Sequence, residues 1–366
     1  MGTGRPTKIS ISNRDRFSLM GIFPCLYASL LLLISVQSAI AEEVSAPSRW
    51  IGRVAEDRRE FGWPGSGLEM VFRGTSLKLR LEDSGNNSAM LDVDGRVSRL
   101  DLAKGSKLYV VADGLPNGQH SVRLTRRTEG LFGNTRFLSA ETDGSFLQSR
   151  PSPRRLLVVG DSISAGYGVE AKTKGCKPDA NAETENQYLT YEAITGRTLG
   201  ADVTTLAKSG IGVSRANDDG EVMAGLIDRL TPTDKNGSPP SGDPDYQAII
   251  VNLGTNDFGS GLRPPTFVKD YAALLSKLRT EHPDALIYAA LGPMLSDPDF
   301  AAGEAAVKAV VDSRIAAGDT HLHYLRLRVA VGSYGCNWHP SPPTHAAMAQ
   351  ILTDRLRKDL NWSAAP

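Results

Sequence analysis

The stretch Arg154–Gly168, RRLLVVGDSISAGYG, decides the fold. Leu156–Val159 runs apolar without alternation into Gly160-Asp161-Ser162, with further glycines at 166 and 168. A short continuous apolar run closed by glycine reads as a strand buried on both faces, as in a parallel sheet covered by helices. A serine at the strand-to-helix turn then sits at the carboxyl rim, where such sheets bind ligands. On this stretch alone, Asp161 or Ser162 serves equally well as a helix cap.

Downstream, apolar strands recur at Asp202–Leu206, Ala248–Leu253, Leu286–Leu291 and His323–Leu327. Helical patterns separate them: TENQYLTYEAITGRTLG, with Thr184 and Gln187 at capping-box spacing, then FVKDYAALLSKLRTEH and GEAAVKAVVDSRIAAG. The last helix opens on Ser341-Pro342, a cap followed by a first-turn proline. Alternating strands and helices predict an α/β region with a central parallel sheet, over 154–362.

Upstream the texture is all-β. LEMVFRGTSLKLRLED alternates and breaks at Gly74, and Asp94-Gly95 is a hairpin turn signal. Residues 46–147 are therefore expected to form a β-sandwich or jelly roll, joined to the second region by a Pro- and Arg-containing linker at 148–153. At 366 residues, 40% of them hydrophobic, the chain is long enough for two cored domains. Lys+Arg and Asp+Glu are both 41, which gives no electrostatic case for a nucleic-acid partner.

The first 41 residues have basic groups ending at Arg16, an apolar run over Phe17–Val36, and Ala39-x-Ala41 before Glu42. This pattern reads as a signal peptide, with an uncleaved anchor as the rival, and places the folded part outside the cytoplasm in the secreted or periplasmic space. Without Cys25, Cys176 and Cys336 form an even pair in an oxidising compartment, either a disulfide or two buried thiols. No spacing in the sequence resembles a metal site, and no cofactor is implied.

Three segments follow successive strands on the same rim. Ser162 offers a hydroxyl and a backbone N–H, Gly210 in AKSGIGVSRA a backbone N–H free of side chain, and Asn256 in VNLGTNDFG an amide. Three converging donors are what a tetrahedral oxyanion requires. Among six histidines, His339 in the loop before the last helix is the best placed base; His345, inside the first turns of that helix, is the runner-up and reads as a packing or capping group.

GDSISAGYG, SGIG, GTND and HP, in this order, resemble the four blocks of the SGNH (GDSL-type) hydrolases. The resemblance implies a flavodoxin-like αβα fold, Ser162 as nucleophile, Gly210 and Asn256 with the Ser162 N–H as oxyanion donors, and His339 as base. The β region ending in RTEGLFG, with GCNWHPS and the pair Cys176 and Cys336, is similar to carbohydrate esterase family 2. That family joins a jelly roll to an SGNH domain and removes O-acetyl groups from polysaccharides such as xylan and mannan; its cysteine positions support the disulfide. The expected partner is therefore an acetylated polysaccharide, taken by a monomer with no nucleic acid and, after signal cleavage, no membrane.

One position departs from the family pattern. The superfamily's aspartate three residues before the histidine is Cys336 here, and the place two before it is Asn337. A Ser162–His339 dyad is the expectation, with Asn337 or the carbonyl of Trp338 orienting the imidazole and with Trp338 and Tyr167 as sugar-stacking walls. The competing readings are a small-acyl lipase, an arylesterase, a peptidoglycan O-acetyl esterase, or a carbohydrate-binding protein whose esterase centre has decayed.

Overall fold

The computed structural model describes residues 42–176, 181–215, 220–235, 244–330 and 333–365. The expected signal peptide, with Cys25, lies outside them.

Eleven strands build the first half. They are β1 (Glu42–Val44), β2 (Arg49–Ile51), β3 (Glu60–Phe61), β4 (Gly67–Gly74), β5 (Leu77–Asp83) and β6 (Asn87–Val93). β7 (Arg96–Leu102), β8 (Gly105–Ala112), β9 (Gly118–Arg126), β10 (Thr135–Thr142) and β11 (Ser145–Leu147) follow. One antiparallel sheet runs β1-β10-β5-β8 with β3 on β10, the other β11-β4-β9-β6-β7 with β2 on β4. Alternation explains the layering: β5 buries Leu77, Leu79 and Leu81 while its intervening residues face outward. Those leucines meet Met70, Phe72, Val122 and Leu124 of the second sheet in one apolar core. Asp94 and Gly95 both have positive φ at the β6–β7 turn, the conformation a two-residue hairpin needs. The β structure begins at Glu42 rather than residue 46, because β1 pairs with Ala140–Thr142 of β10.

The second half is a parallel sheet: β12 (Arg155–Gly160), β13 (Asp202–Ala207), β14 (Ala248–Asn252), β15 (Leu286–Leu291) and β16 (Leu322–Arg326), ordered β13-β12-β14-β15-β16. Its helices are α1 (Ser162–Ala165), α2 (Asn181–Thr184), α3 (Tyr191–Leu199), α4 (Thr255–Phe258), α5 (Phe267–Glu281), α6 (Asp297–Ala316) and α7 (Pro342–Leu360). Leu156–Val159 of β12, Ala248–Val251 of β14 and Leu286–Leu291 of β15 run apolar because both faces are covered. α5 and α6 close one face through Phe267, Leu274, Val307 and Val310, and α3 with α7 close the other through Tyr191, Leu199, Met348 and Leu352. Strand order reverses at β12, so a crevice opens past the ends of β12, β13 and β14.

Two local expectations differ from the structure. No capping box joins Thr184 to Gln187: Thr184 ends α2, and the Gln187 amide donates to Thr205 Oγ1 at 3.1 Å, a tertiary contact that takes the side chain away from the chain start. Ser341 does precede α7, but its hydroxyl contacts those of Ser333 and Thr344 rather than a helix N–H.

Over the described residues the two halves form one compact unit. Trp63, fully buried, comes from the β half yet packs in the core under α5 and α6, with Nε1 donating to the Leu230 carbonyl at 3.0 Å. Arg49 and Arg123 both reach Asp202 at the start of β13, at 2.9 and 3.3 Å. The stretch expected as a linker is tied down as well, with the Ser152 N–H on Asp202 at 2.8 Å.

Candidate active site

β12 delivers Ser162 to the rim as the first residue of α1. Asp161 is the helix cap, its carboxylate accepting the Ile163 N–H at 2.9 Å, so the Ser162 hydroxyl is not needed for that task. Burial pushes the Asp161 carboxyl up to about 7. The Ser162 Oγ lies 2.7 Å from Nε2 of His339, and both residues are buried.

His339 sits in the loop between β16 and α7, and its Nδ1 is 2.8 Å from the carbonyl oxygen of Cys336. A carbonyl only accepts, so Nδ1 carries the ring proton and Nε2 presents its lone pair to the serine hydroxyl. Burial lowers the imidazole pKa to about 4, against the opposing pull of its backbone hydrogen bonds, so the ring is neutral.

The orienting group is thus neither of the two expected. The Asn337 amide donates to Tyr167 Oη at 3.0 Å, because Asn337 has positive φ (48°) and its side chain turns away from the imidazole. The carbonyl that meets Nδ1 is that of Cys336, not Trp338. The acceptor is a backbone carbonyl, as in the second expectation, but two residues earlier in the chain, and no sequence signature distinguishes one carbonyl from the next.

The Cys336 carbonyl is held from several sides. A disulfide joins Cys336 to Cys176. The Cys336 N–H donates to the Gly168 carbonyl at 3.2 Å, and the Asn337 N–H to that of Lys174 at 2.9 Å. This approach to the nucleophile's own turn needs glycine twice. A Cβ at Gly168 (φ 62°) would lie 2.3 Å from Cys336 Cβ, and one at Gly335 would lie 2.0 Å from the Gly168 carbonyl.

β13 and β14 end level with β12, since Gly160 pairs with Ala207 on one side and Asn252 on the other. Gly210 follows β13 in a turn closed by the Ile211 N–H on the Lys208 carbonyl, with φ 77°. Asn256 follows β14 in α4 and donates to the Ile211 carbonyl at 2.8 Å, leaving one of its two amide hydrogens for another acceptor. Asp257 next to it accepts from the N–H groups of Val213, Ser214 and Arg215, which locks this loop to α4. The Ser162 and Gly210 N–H groups have no acceptor among the described residues.

Tyr167 packs on the His339 ring with centroids 4.5 Å apart. Trp338 is 56% exposed, carries Lys174 Nζ 3.6 Å over its ring, and meets Tyr334 edge-on. Together with Met294, Arg326 and Arg328, these two aromatics line a groove of about 720 Å³ beside the histidine loop. His345 is fully buried and accepts the Tyr191 N–H at Nδ1, 3.2 Å away, a packing and capping role. Among the described residues no cluster of His, Cys, Asp or Glu can hold a metal, and no helix is long and apolar enough to cross a membrane.

The chain matches two family models in sequence, the carbohydrate esterase 2 N-terminal domain over 50–151 and the GDSL-like lipase/acylhydrolase family over 158–356. The cellulase/esterase CelE of Acetivibrio thermocellus is 33% identical over 82% of this chain, which spans 38% of the length of CelE. An acetylxylan esterase/glucomannan deacetylase of Cellvibrio japonicus is 28% identical over 82% of this chain and 85% of its own length. A family two carbohydrate esterase from Clostridium thermocellum, solved in complex with cellohexaose, superposes with a TM-score of 0.80 at 29% identity, covering 88% of this chain and all of that one.

Proposed function

The chain belongs to carbohydrate esterase family 2, and from that membership we propose that it is a serine esterase that removes O-acetyl groups from a xylan- or mannan-type polysaccharide. The observation that carries the chemistry is the 2.7 Å contact between His339 Nε2 and Ser162 Oγ, with the ring proton fixed on Nδ1. The substrate class follows the names of the relatives, one of them an acetylxylan esterase/glucomannan deacetylase.

Each step uses groups already described. His339 Nε2 takes the Ser162 hydroxyl proton as Oγ attacks the acetyl carbonyl. The developing oxyanion is met by the N–H groups of Ser162 and Gly210 and by the free amide hydrogen of Asn256. The tetrahedral intermediate collapses by breaking the bond to the sugar oxygen, which receives the proton from His339, and leaves an acetyl-Ser162 ester. Water then attacks that ester, giving its proton to Nε2, and acetate leaves as Ser162 regains its hydrogen. The Cys336 carbonyl accepts from Nδ1–H throughout and stabilises the imidazolium as it forms. Trp338 and Tyr334 in the groove offer faces on which a sugar ring stacks. We read residues 1–41 as the signal that exports the chain to where its polymeric substrate lies.

Acetate release from acetylated xylan, glucomannan, peptidoglycan and aryl acetates tests the reading. Ser162→Ala and His339→Ala are each expected to lower kcat by on the order of 10⁴-fold or more without unfolding the protein. Wild-type turnover by folded Ser162→Ala removes the nucleophile, and release from aryl acetates alone removes the polysaccharide.

A further inference from the structure

A pair of buried carboxyls lies where the β half meets the rim. Glu129, in the RTEG segment after β9, is 1% exposed, and Glu185, between α2 and α3, is 0% exposed. The Glu129 N–H donates to Glu185 Oε1 at 2.6 Å, and the Ser209 N–H donates to Glu129 Oε2 at 2.7 Å. Glu185 belongs to a segment held against the nucleophile's turn, since the Asn186 N–H donates to the Gly166 carbonyl and the Gln187 N–H to that of Arg127. The carboxyls thus join the β half, the flank of the nucleophile helix and the residue before Gly210.

Ser209 and Gly210 are the two central residues of the turn closed between Lys208 and Ile211. Such turns have two forms that differ by a flip of the central peptide, the one carrying the Gly210 N–H. In the flipped form the Ser209 carbonyl replaces that N–H, and an oxyanion there would meet a lone pair. The peptide after the centre is held through the Ile211 N–H, with the Ile211 carbonyl fixed by Asn256. The peptide before it is held at both ends: its Lys208 carbonyl accepts the turn-closing Ile211 N–H, and its Ser209 N–H donates to the Glu129 carboxylate, the side-chain anchor of this turn.

Resting on the reading of Gly210 as an oxyanion donor, we infer that Glu129 is a positioning residue for the reaction: its carboxylate holds the Ser209 N–H so that the next N–H faces the oxyanion. Glu129 touches no substrate, and the β half contributes to catalysis through it. Burial pushes both carboxyls up, Glu185 also through the nearby charge of Glu129, with Arg126, Arg127 and Lys208 as the opposing positive groups. Glu129 Oε1 and Glu185 Oε2 are both buried and without a hydrogen-bond partner among the described residues. An amide at 129 keeps the chain length and the acceptor oxygen for the Ser209 N–H.

Hydrolysis of 4-nitrophenyl acetate by Glu129→Met, Glu129→Asp and Glu129→Gln, with Ser162→Ala alongside, tests the inference. Removing one oxyanion donor costs about 10²–10³ in kcat, so its misorientation in the Met variant is expected to lower kcat by ~10–100-fold with KM unchanged. Asp, too short to reach Ser209, is expected to lower kcat in the same way, and Gln is expected to restore it. Affinity for an alkylboronic acid, which forms a tetrahedral adduct on the serine, is expected to fall in parallel with kcat. Wild-type kcat in the Asp variant, or a Gln variant as impaired as Asp, overturns the inference. A Met variant that does not fold leaves the Asp and Gln comparison to decide it. Inactive Ser162→Ala beside an unimpaired Asp variant sinks this inference and leaves the esterase reading standing, whereas active Ser162→Ala sinks the esterase reading itself.

Discussion

The carbonyl oxygen of Cys336 lies 2.8 Å from Nδ1 of His339, the place a carboxylate holds in a Ser-His-Asp triad. A neutral acceptor fixes the tautomer as a carboxylate does, but adds less attraction to the imidazolium that forms. In the proposed mechanism the site therefore relies more on its oxyanion donors and on the immobility of the histidine loop.

Restoring an acid beside the base gives little. The side chain at 337 points to Tyr167 and not to the imidazole, so Asn337→Asp is expected to leave kcat within about threefold, a barrier change under ~0.7 kcal/mol. A rise of tenfold or more in acetate release would mean that residue 337 reaches Nδ1 during turnover.

Acid should inactivate the enzyme late. His339 acts as base only when neutral, and burial lowers its pKa to about 4. Activity is lost as pH falls through that value and is retained above it, so the acid limb of kcat/KM is expected near pH 4 instead of near the ordinary imidazole value of about 6.5. A pH profile with that limb between 6 and 7 would place the base in a more solvated setting than the structure gives it.

The disulfide serves both stability and rate. It closes a loop with a sequence separation of 160 residues, and its removal by Cys176→Ser is expected to cost about 2–4 kcal/mol. Because Cys336 also carries the acceptor for His339, kcat should fall several-fold at temperatures where the variant is still folded. Denaturant titration and acetate release read the two effects separately, and a stability loss with full kcat would show that the hydrogen bonds to Gly168 and Lys174 suffice to hold the carbonyl.

The two halves should melt together. Trp63→Ala empties a buried site in the α/β core from the β side, at a cost of about 3–5 kcal/mol. Calorimetry is expected to show one transition shifted downward as a whole. Two separated transitions would contradict the coupling that Trp63 and Asp202 make between the halves.

Legibility in the sequence followed the kind of atom involved. β12, β14 and β15 could be read because strands covered on both faces carry apolar runs without alternation, and the Asp94-Gly95 turn because few residues accept positive φ. Ser162, Gly210 and Asn256 stood out as residues that follow strand ends, and His339 as the histidine of the loop before the last helix. The capping box failed because Thr205, distant in sequence, draws off the Gln187 amide. The Cys336 carbonyl could not be read because every residue has one. The contact from Glu129 to Ser209 spans 80 residues and two domains, and no local pattern encodes it.

An orienting group that belongs to the main chain is specified by no codon. A triad can lose its carboxylate in a single substitution, but any residue placed at 336 still carries a carbonyl. Point changes can disturb only the path that aims it: the glycines at 168 and 335 that let two loops touch, and the sulfur bridge at 176 and 336. The mutational target for this base is therefore a loop's shape, in which residue 337 counts for the positive φ it holds and not for a side chain on the imidazole.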